Sequence, residues 1–305
     1  MCFSWLERGP DGALYRSAAV DGSDDQQSSA PLCDGALRMS SYEQTPVIEL
    51  RDTSKSFLGV QAVSRLSMAV LPGQVFCLLG ENGAGKSTVI KMLTGVERPT
   101  TGEILVDGEV TEFTSPRHAR ERGIATVYQE VGTLPLMSVA RNFILAAEPT
   151  KGWGPFRRLD LDKASAIAIA GLRELGINRI TDGSQLVGTM SGGERQALAI
   201  ARALHFGARL LVLDEPTAAL GVRESASVLK LIHTVRSRGI AVVLITHNAY
   251  HAHSVGDAFL ILRRGEVLAS FKKGEKSVGE VIELMAGGEE LRSLLTEAET
   301  SLASI

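Results

Sequence analysis

Residues 80–88 read Gly-Glu-Asn-Gly-Ala-Gly-Lys-Ser-Thr. Glycine, four residues, then Gly85-Lys86-Ser87 is the spacing of a phosphate-cradling loop. Its glycines let the backbone curl until successive N–H groups converge on phosphate oxygens. A helix opening at the end of the loop adds the positive end of its dipole. The candidate nucleotide-binding residues are therefore Gly80, Glu81, Asn82, Gly83, Ala84, Gly85, Lys86, Ser87 and Thr88. Lys86 would bridge the outer phosphates as a mobile point charge, and the hydroxyl of Ser87 would ligate magnesium. A second set of reactive groups is the adjacent acid pair Asp214 and Glu215. Consecutive strand residues point to opposite sides, so the two carboxylates are expected to do different work. Asp214 would hold magnesium, directly or through its waters. Glu215 would orient or deprotonate an attacking water.

These groups need elements to position them. Residues 75–79 are an apolar run and residues 89–93 an apolar helical pattern, so the loop lies between a strand and a helix. Residues 210–213, just before Asp214, are continuously apolar, as in a parallel strand buried on both faces. Residues 241–245 read the same way and lead to His247. Residues 103–110 carry Asp107-Gly108, a hairpin turn signal. Residues 134–190 read as helical, with an alanine-rich stretch over 163–175. Residues 257–270 read as two short strands joined at Arg263-Arg264-Gly265. From Glu289 the chain reads as a charged helix or a frayed end, with 292–305 as its tail.

The first 44 residues differ. Gly9-Pro10-Asp11-Gly12 and the polar run 21–29, with little apolar periodicity, read as a disordered extension. Residues 3–6 are too short an apolar core for a secretory signal, and Glu7 follows them. Met39 opens a compact lead-in to the first strand, so the residues before it are expected to be dispensable.

A third motif lies between the two halves of the site. Residues 190–196 read Met-Ser-Gly-Gly-Glu-Arg-Gln. A small-residue turn here opens a helix over about 194–204, which leaves N–H groups facing outward for an anion. An ordinary serine N-cap is the plainer alternative. Taken together, the three motifs resemble the nucleotide-binding subunit of an ATP-binding cassette (ABC) transporter, over residues 47–291. That resemblance implies an α/β fold: a RecA-like parallel-sheet core, an antiparallel β subdomain and an inserted helical lobe at about 134–190. It implies ATP with magnesium, and two ATPs sandwiched in a head-to-tail dimer. Ser191, Gly192 and Gly193 would then serve the other subunit's ATP.

The same resemblance assigns further residues. Phe57 stands where an aromatic stacks on adenine, a plain core phenylalanine being the alternative. Gln129 matches the glutamine that senses magnesium and the membrane partner. His247 matches the switch histidine near the γ-phosphate. The implied catalytic set is Glu215, His247, Lys86 and Gln129, and the metal set is Ser87, Gln129 and Asp214. One position departs from the family pattern: Gly221 replaces the aspartate that couples one subunit's site to the other. Residues 191–196, 217–224 and 285–291 resemble those of monosaccharide importers, the ribose, xylose and fructose group. The implied partners are a second copy or a paired ABC subunit, integral membrane permease subunits and, indirectly, a solute-binding protein. The implied location is cytoplasmic, on the inner face of the membrane.

Composition is compatible with this. The 305 residues allow an ample core, and a formal net charge of -3 gives no polybasic surface for nucleic acid. Cys2, Cys33 and Cys77 have no metal-ligand spacing and suggest no disulfide framework. No apolar run approaches the length that spans a bilayer, so another chain must supply any membrane path. Soluble cassettes of translation or DNA repair usually carry two cassettes and basic linkers, which this chain lacks. A degenerate, non-enzymatic scaffold is disfavoured by intact Lys86, Asp214, Glu215 and His247.

Overall fold

The computed structural model describes residues 6–8, 14–16, 44–128 and 132–287. Two units divide the chain, 1–41 and 42–305. In the first, β1 (Leu6–Arg8) and β2 (Leu14–Arg16) pair antiparallel, Leu6 opposite Arg16. The low apolar periodicity predicts no element here. Each of the paired segments, Leu-Glu-Arg and Leu-Tyr-Arg, is only three residues long, too short to show a strand period. The remainder of the expected extension lies outside the described residues.

The second unit begins with β3 (Ile48–Phe57) and β4 (Val60–Val70). Next come β5 (Val75–Leu79), α1 (Lys86–Leu93), β6 (Thr101–Val106) and β7 (Glu109–Val110). These are followed by α2 (Pro116–Glu121), β8 (Ile124–Val127) and α3 (Val139–Phe143). Two short strands, β9 (Thr150–Lys151) and β10 (Arg158–Leu159), precede α4 (Leu161–Glu174) and α5 (Gly192–His205). Then β11 (Leu210–Asp214), α6 (Val222–Ser237), β12 (Ala241–Thr246) and α7 (Ala249–Val255) alternate. The last elements are β13 (Ala258–Arg263), β14 (Glu266–Lys272) and α8 (Val278–Met285).

Two sheets result. The smaller is antiparallel, in the order β4-β3-β6-β7. Asp107 and Gly108 both take positive φ, 53° and 81°, which is the hairpin turn expected from that dipeptide. The larger has the order β14-β13-β5-β12-β11-β8, with β5, β8, β11, β12 and β13 parallel and β14 antiparallel at one edge. Strand periodicity divides its core in two. Val75, Cys77 and Leu79 of β5 face the core shared with α4, α5 and α6, while Phe76 and Leu78 face the core shared with α1 and β3. A sheet covered on both faces needs continuous apolar strands, which is why β5, β11 and β12 were readable. Each fully buried Val or Leu contributes roughly 1.5–3 kcal/mol relative to exposure.

The stretch 134–190 is only partly helical. Pro149, Gly152, Gly154 and Pro155 interrupt it, and β9 and β10 pair across them as a small hairpin. Asp160 then caps α4, its carboxylate accepting from Lys163 N at 3.2 Å. Among the described residues no helix is long and apolar enough to cross a membrane.

Candidate nucleotide site

Four parallel strands end together. The register pairs Leu213 with Val127, Asp214 with Ile245, and Thr246 with Leu79. The loop after β5, the acids after β11 and His247 after β12 therefore share the carboxyl edge of one sheet. Loops at such an edge form the crevice in which open α/β folds bind ligands. Gln129, two residues beyond β8, lies outside the described residues.

The loop between β5 and α1 is braced by backbone bonds. Ala84 N donates to Glu81 O at 3.2 Å and Gly265 N donates to Ala84 O at 3.0 Å. Gly85 is the N-cap of α1 at φ 104°, and no side chain caps the helix. A Cβ on Gly85 would stand 2.7 Å from the carbonyl of Ala62, so only glycine fits here. Lys86 is nearly buried at 8 % exposure. Its Nζ donates to Gly80 O at 2.6 Å and to Glu81 O at 2.9 Å. Burial lowers its pKa, opposed by the nearby carboxylates of Glu215, Asp214 and Glu81. The ammonium thus rests on loop carbonyls, a poorer partner for a desolvated cation than a phosphate.

The two acids have separate environments, but β11 ends at Asp214, so the cause is the backbone turn at Glu215 and not strand alternation. Glu215 turns away from the strand at φ 48°, a left-handed conformation for a non-glycine residue. Its carboxylate is held in place. Oε1 accepts from His247 N at 3.0 Å and contacts His247 Nδ1 at 2.7 Å, and Oε2 accepts from Thr246 Oγ1 at 3.3 Å. Its side chain is 11 % exposed, against 61 % for His247. Asp214 is half-buried at the end of β11 and accepts no hydrogen bond from the described residues. Burial raises its carboxyl pKa, Glu215 raises it further, and Lys86 opposes both.

Ser191 sits at the N-cap of α5. Ser191 N donates to Glu194 Oε2 at 2.9 Å, and Glu194 N donates to Ser191 Oγ at 3.2 Å. This reciprocal box starts the helix at Gly192, two residues earlier than the sequence pattern suggests. It also shows what a glutamate at position 194 does. The serine Oγ accepts in the cap, which leaves its O–H to donate beside the N–H groups of the helix start. Phe57 closes β3 and is only partly buried, so it is not a core phenylalanine. Lys55 Nζ lies 4.9 Å from its ring centroid. Phe57 pairs with Val60, two residues before the Ala62 carbonyl that backs onto Gly85.

Two supports were not foreseen from sequence. Thr246 Oγ1 accepts from Asn248 N at 3.0 Å while donating to Glu215, which ties the glutamate to the start of α7. Thr217 Oγ1 lies 2.9 Å from His251 Nδ1, pinning the segment after Glu215 to the same helix. The Asn248 N-cap, with His251 N donating to its Oδ1 at 3.0 Å, was readable as a helix start after an apolar strand.

A phosphate loop, a separated acid pair and a histidine on one sheet edge, with a capped glycine turn elsewhere in the chain, define a nucleoside-triphosphate cassette. The ABC transporter family model matches residues 63–218. The chain is 40 % identical over 252 residues to the fructose import ATP-binding protein FrcA of Rhizobium meliloti, covering 81 % of this chain and 96 % of that one. It is 39 % identical over 239 residues to the xylose/arabinose import ATP-binding protein XylG of Sulfolobus acidocaldarius, covering 78 % and 93 %. Against the ribose import ATP-binding protein RbsA 3 of Rubrobacter xylanophilus it is 38 % identical over 260 residues and spans about half of that protein, 51 %. A crystal structure of a nucleotide-free ATP-binding cassette superposes with TM-score 0.66 at 22 % identity, over 78 % of this chain and 94 % of that one. A dimeric bacterial ABC transporter cassette superposes with TM-score 0.61 at 23 % identity, over 75 % and 100 %. The chain belongs to the ABC transporter family and is one of its ATP-hydrolysing cassettes.

Proposed function

We propose that this chain hydrolyses ATP in a head-to-tail dimer and so energises import of a monosaccharide through a separate membrane permease. The observation that carries the reading is the placement of Lys86, Asp214, Glu215 and His247 on the carboxyl edge of one sheet. The sugar assignment rests on the fructose and xylose/arabinose relatives, whose lengths the chain nearly spans. Lys86 leaves two carbonyls to meet the outer phosphates. Glu215 orients or deprotonates the attacking water, and His247 holds that carboxylate by both its backbone N–H and its ring. Phe57 offers its ring to adenine.

The residues present fit a magnesium ion. Asp214 is an acceptor-only group without a hydrogen-bond donor among the described residues, and Ser87 lies in the first turn of α1. The ion would neutralise charge on the phosphates. Gln129 joins this set by its place after β8. Ser191, Gly192 and Gly193 would meet the ATP held by a second copy or a paired cassette. Permease subunits place the dimer on the inner face of the membrane, with a solute-binding protein acting on their far side. The test is reconstitution with the membrane permease and solute-binding protein that this chain serves. ATP hydrolysis stimulated by ribose, xylose or fructose is the expected result. Hydrolysis that no monosaccharide stimulates overturns the sugar reading.

Gly221 gives this reading a second test. It is the N-cap of α6 at φ -67°, ψ 163°, where any L residue fits. A Cβ there would meet only Glu224 Oε2 at 3.9 Å. Asp at an N-cap differs from Gly by only a few tenths of a kcal/mol. Gly221→Asp is therefore expected to move the melting temperature by no more than about 2 °C. If the missing carboxylate weakens coupling across the dimer, the same change raises the Hill coefficient for ATP. Unchanged stability with an unchanged Hill coefficient makes Gly221 a neutral variation of the loop.

A further inference from the structure

The hairpin inside the helical lobe holds two aromatic side chains in water. Thr150 pairs with Leu159 and Lys151 with Arg158, and a single 3₁₀ turn, Gly154–Phe156, closes the end. The turn is built rather than slack. Phe156 N donates to Trp153 O at 3.1 Å, and Arg157 N donates to Gly154 O at 3.3 Å. Arg157 Nη2 and Nε donate to Thr150 Oγ1 at 2.7 and 3.2 Å. At Gly152, φ is 100° and a Cβ would stand 2.5 Å from Phe156 O, so glycine is required for this geometry. The result is a narrow tip on which Trp153 is 86 % exposed and Phe156 78 % exposed.

We infer that this tip is a membrane-interface anchor, seating Trp153 and Phe156 among the headgroups of an anionic phospholipid surface. It goes beyond the transport reading and does not depend on ATP hydrolysis. Charge selects the occupant. Residues 150–159 contain Lys151, Arg157 and Arg158 and no acid. Lys151 is paired with two acids, Asp160 at 3.5 Å and Asp162 at 3.2 Å, so it adds no positive charge for a ligand. Glu148 accepts from Ala146 N at 3.0 Å within its own loop. Among the described residues Arg157 has only a neutral hydroxyl, Thr150 Oγ1, as side-chain partner, and Arg158 is exposed, so two guanidinium groups without an acid partner lie on the segment that leaves the tip. Shape points the same way. A stable protein interface needs about 800 Å² on each partner, more than a convex two-aromatic tip presents. A headgroup layer accepts a convex wedge, and tryptophan beside cationic side chains is the composition that favours that layer.

The chain has two tryptophans, so Trp5→Phe leaves Trp153 as the only indole emitter. The full chain carrying this change is mixed with vesicles of phosphatidylcholine alone or with phosphatidylglycerol. A blue shift of Trp153 emission and co-sedimentation with the anionic vesicles, both weakened by salt, are expected. In otherwise wild-type protein, Arg157→Gln and Arg158→Gln should each weaken anionic-vesicle binding about fivefold. Trp153→Ser with Phe156→Ser should reduce it at least tenfold and leave basal ATP hydrolysis unchanged. Emission that ignores anionic vesicles overturns the inference. A shift seen only when detergent-solubilised permease is added also overturns it, and assigns the tip to a protein partner. Undiminished vesicle binding by the double serine variant overturns it as well.

Discussion

Glu215→Gln is expected to slow ATP turnover by on the order of a hundredfold or more, with nucleotide affinity near that of the wild type. The amide has the size of the carboxylate, its one oxygen can still accept from His247 N, and its NH2 faces Thr246 Oγ1 as a donor, so the turn at φ 48° is kept. It lacks the basicity and charge that position and activate water. Bound ATP then persists, and the nucleotide-sandwich dimer should accumulate. Lys86→Ala should behave in the opposite way and weaken binding itself, if Lys86 is the cation that meets the phosphates as proposed. Nucleotide affinity and phosphate release measured on both variants separate the two roles. Near-normal turnover in Glu215→Gln would remove that residue from its assigned role.

What was legible in the sequence follows from where local pattern and tertiary demand coincide. The strands β5, β11 and β12 are buried on both faces, so their apolar runs were continuous and their ends were marked by glycines or acids. The phosphate loop was legible because its glycines answer to backbone geometry rather than to distant partners. The hairpin at 150–159 is obscured in the sequence, although Pro149 precedes it and Gly152, Gly154 and Pro155 stand in it, because the alanine-rich helix that follows carries the stronger pattern. The resting place of the Lys86 ammonium, the Glu215–His247 bond and the bare carboxylate of Asp214 join residues far apart in sequence. No single-chain pattern encodes such contacts. The start of α5 was misjudged for a local reason: glycine lowers helix propensity, but the Ser191–Glu194 box outweighs it. At Gly221 the residue type left both signs of φ open, and its backbone takes the negative one.

Asp214→Asn should make the nucleotide-free protein more stable and the working protein worse. The Asp214 carboxylate is half-buried beside Glu215, receives no hydrogen bond from the described residues, and has a pKa raised chiefly by burial. Its ionised form is therefore strained at neutral pH, relieved only in part by Lys86. An amide of the same shape removes the charge, and a higher melting temperature at neutral pH is expected. The sign with pH follows from linkage. A carboxyl with a raised folded pKa binds its proton more tightly in the folded state. That stabilisation is complete below the ordinary aspartate range and is lost as pH rises through the raised value. The melting-temperature gap between variant and wild type should thus be small in acid and widen toward neutrality. If Asp214 ligates the ion as proposed, magnesium-dependent turnover should fall roughly a hundredfold or more. Melting curves from pH 4 to 8 without nucleotide, set beside magnesium titrations of ATP hydrolysis, test both halves. A gap that stays constant across pH would show that burial of this carboxylate does not govern stability. Unchanged magnesium dependence would take Asp214 out of the metal site and leave it as an acid at the strand end with no role in the ion's binding.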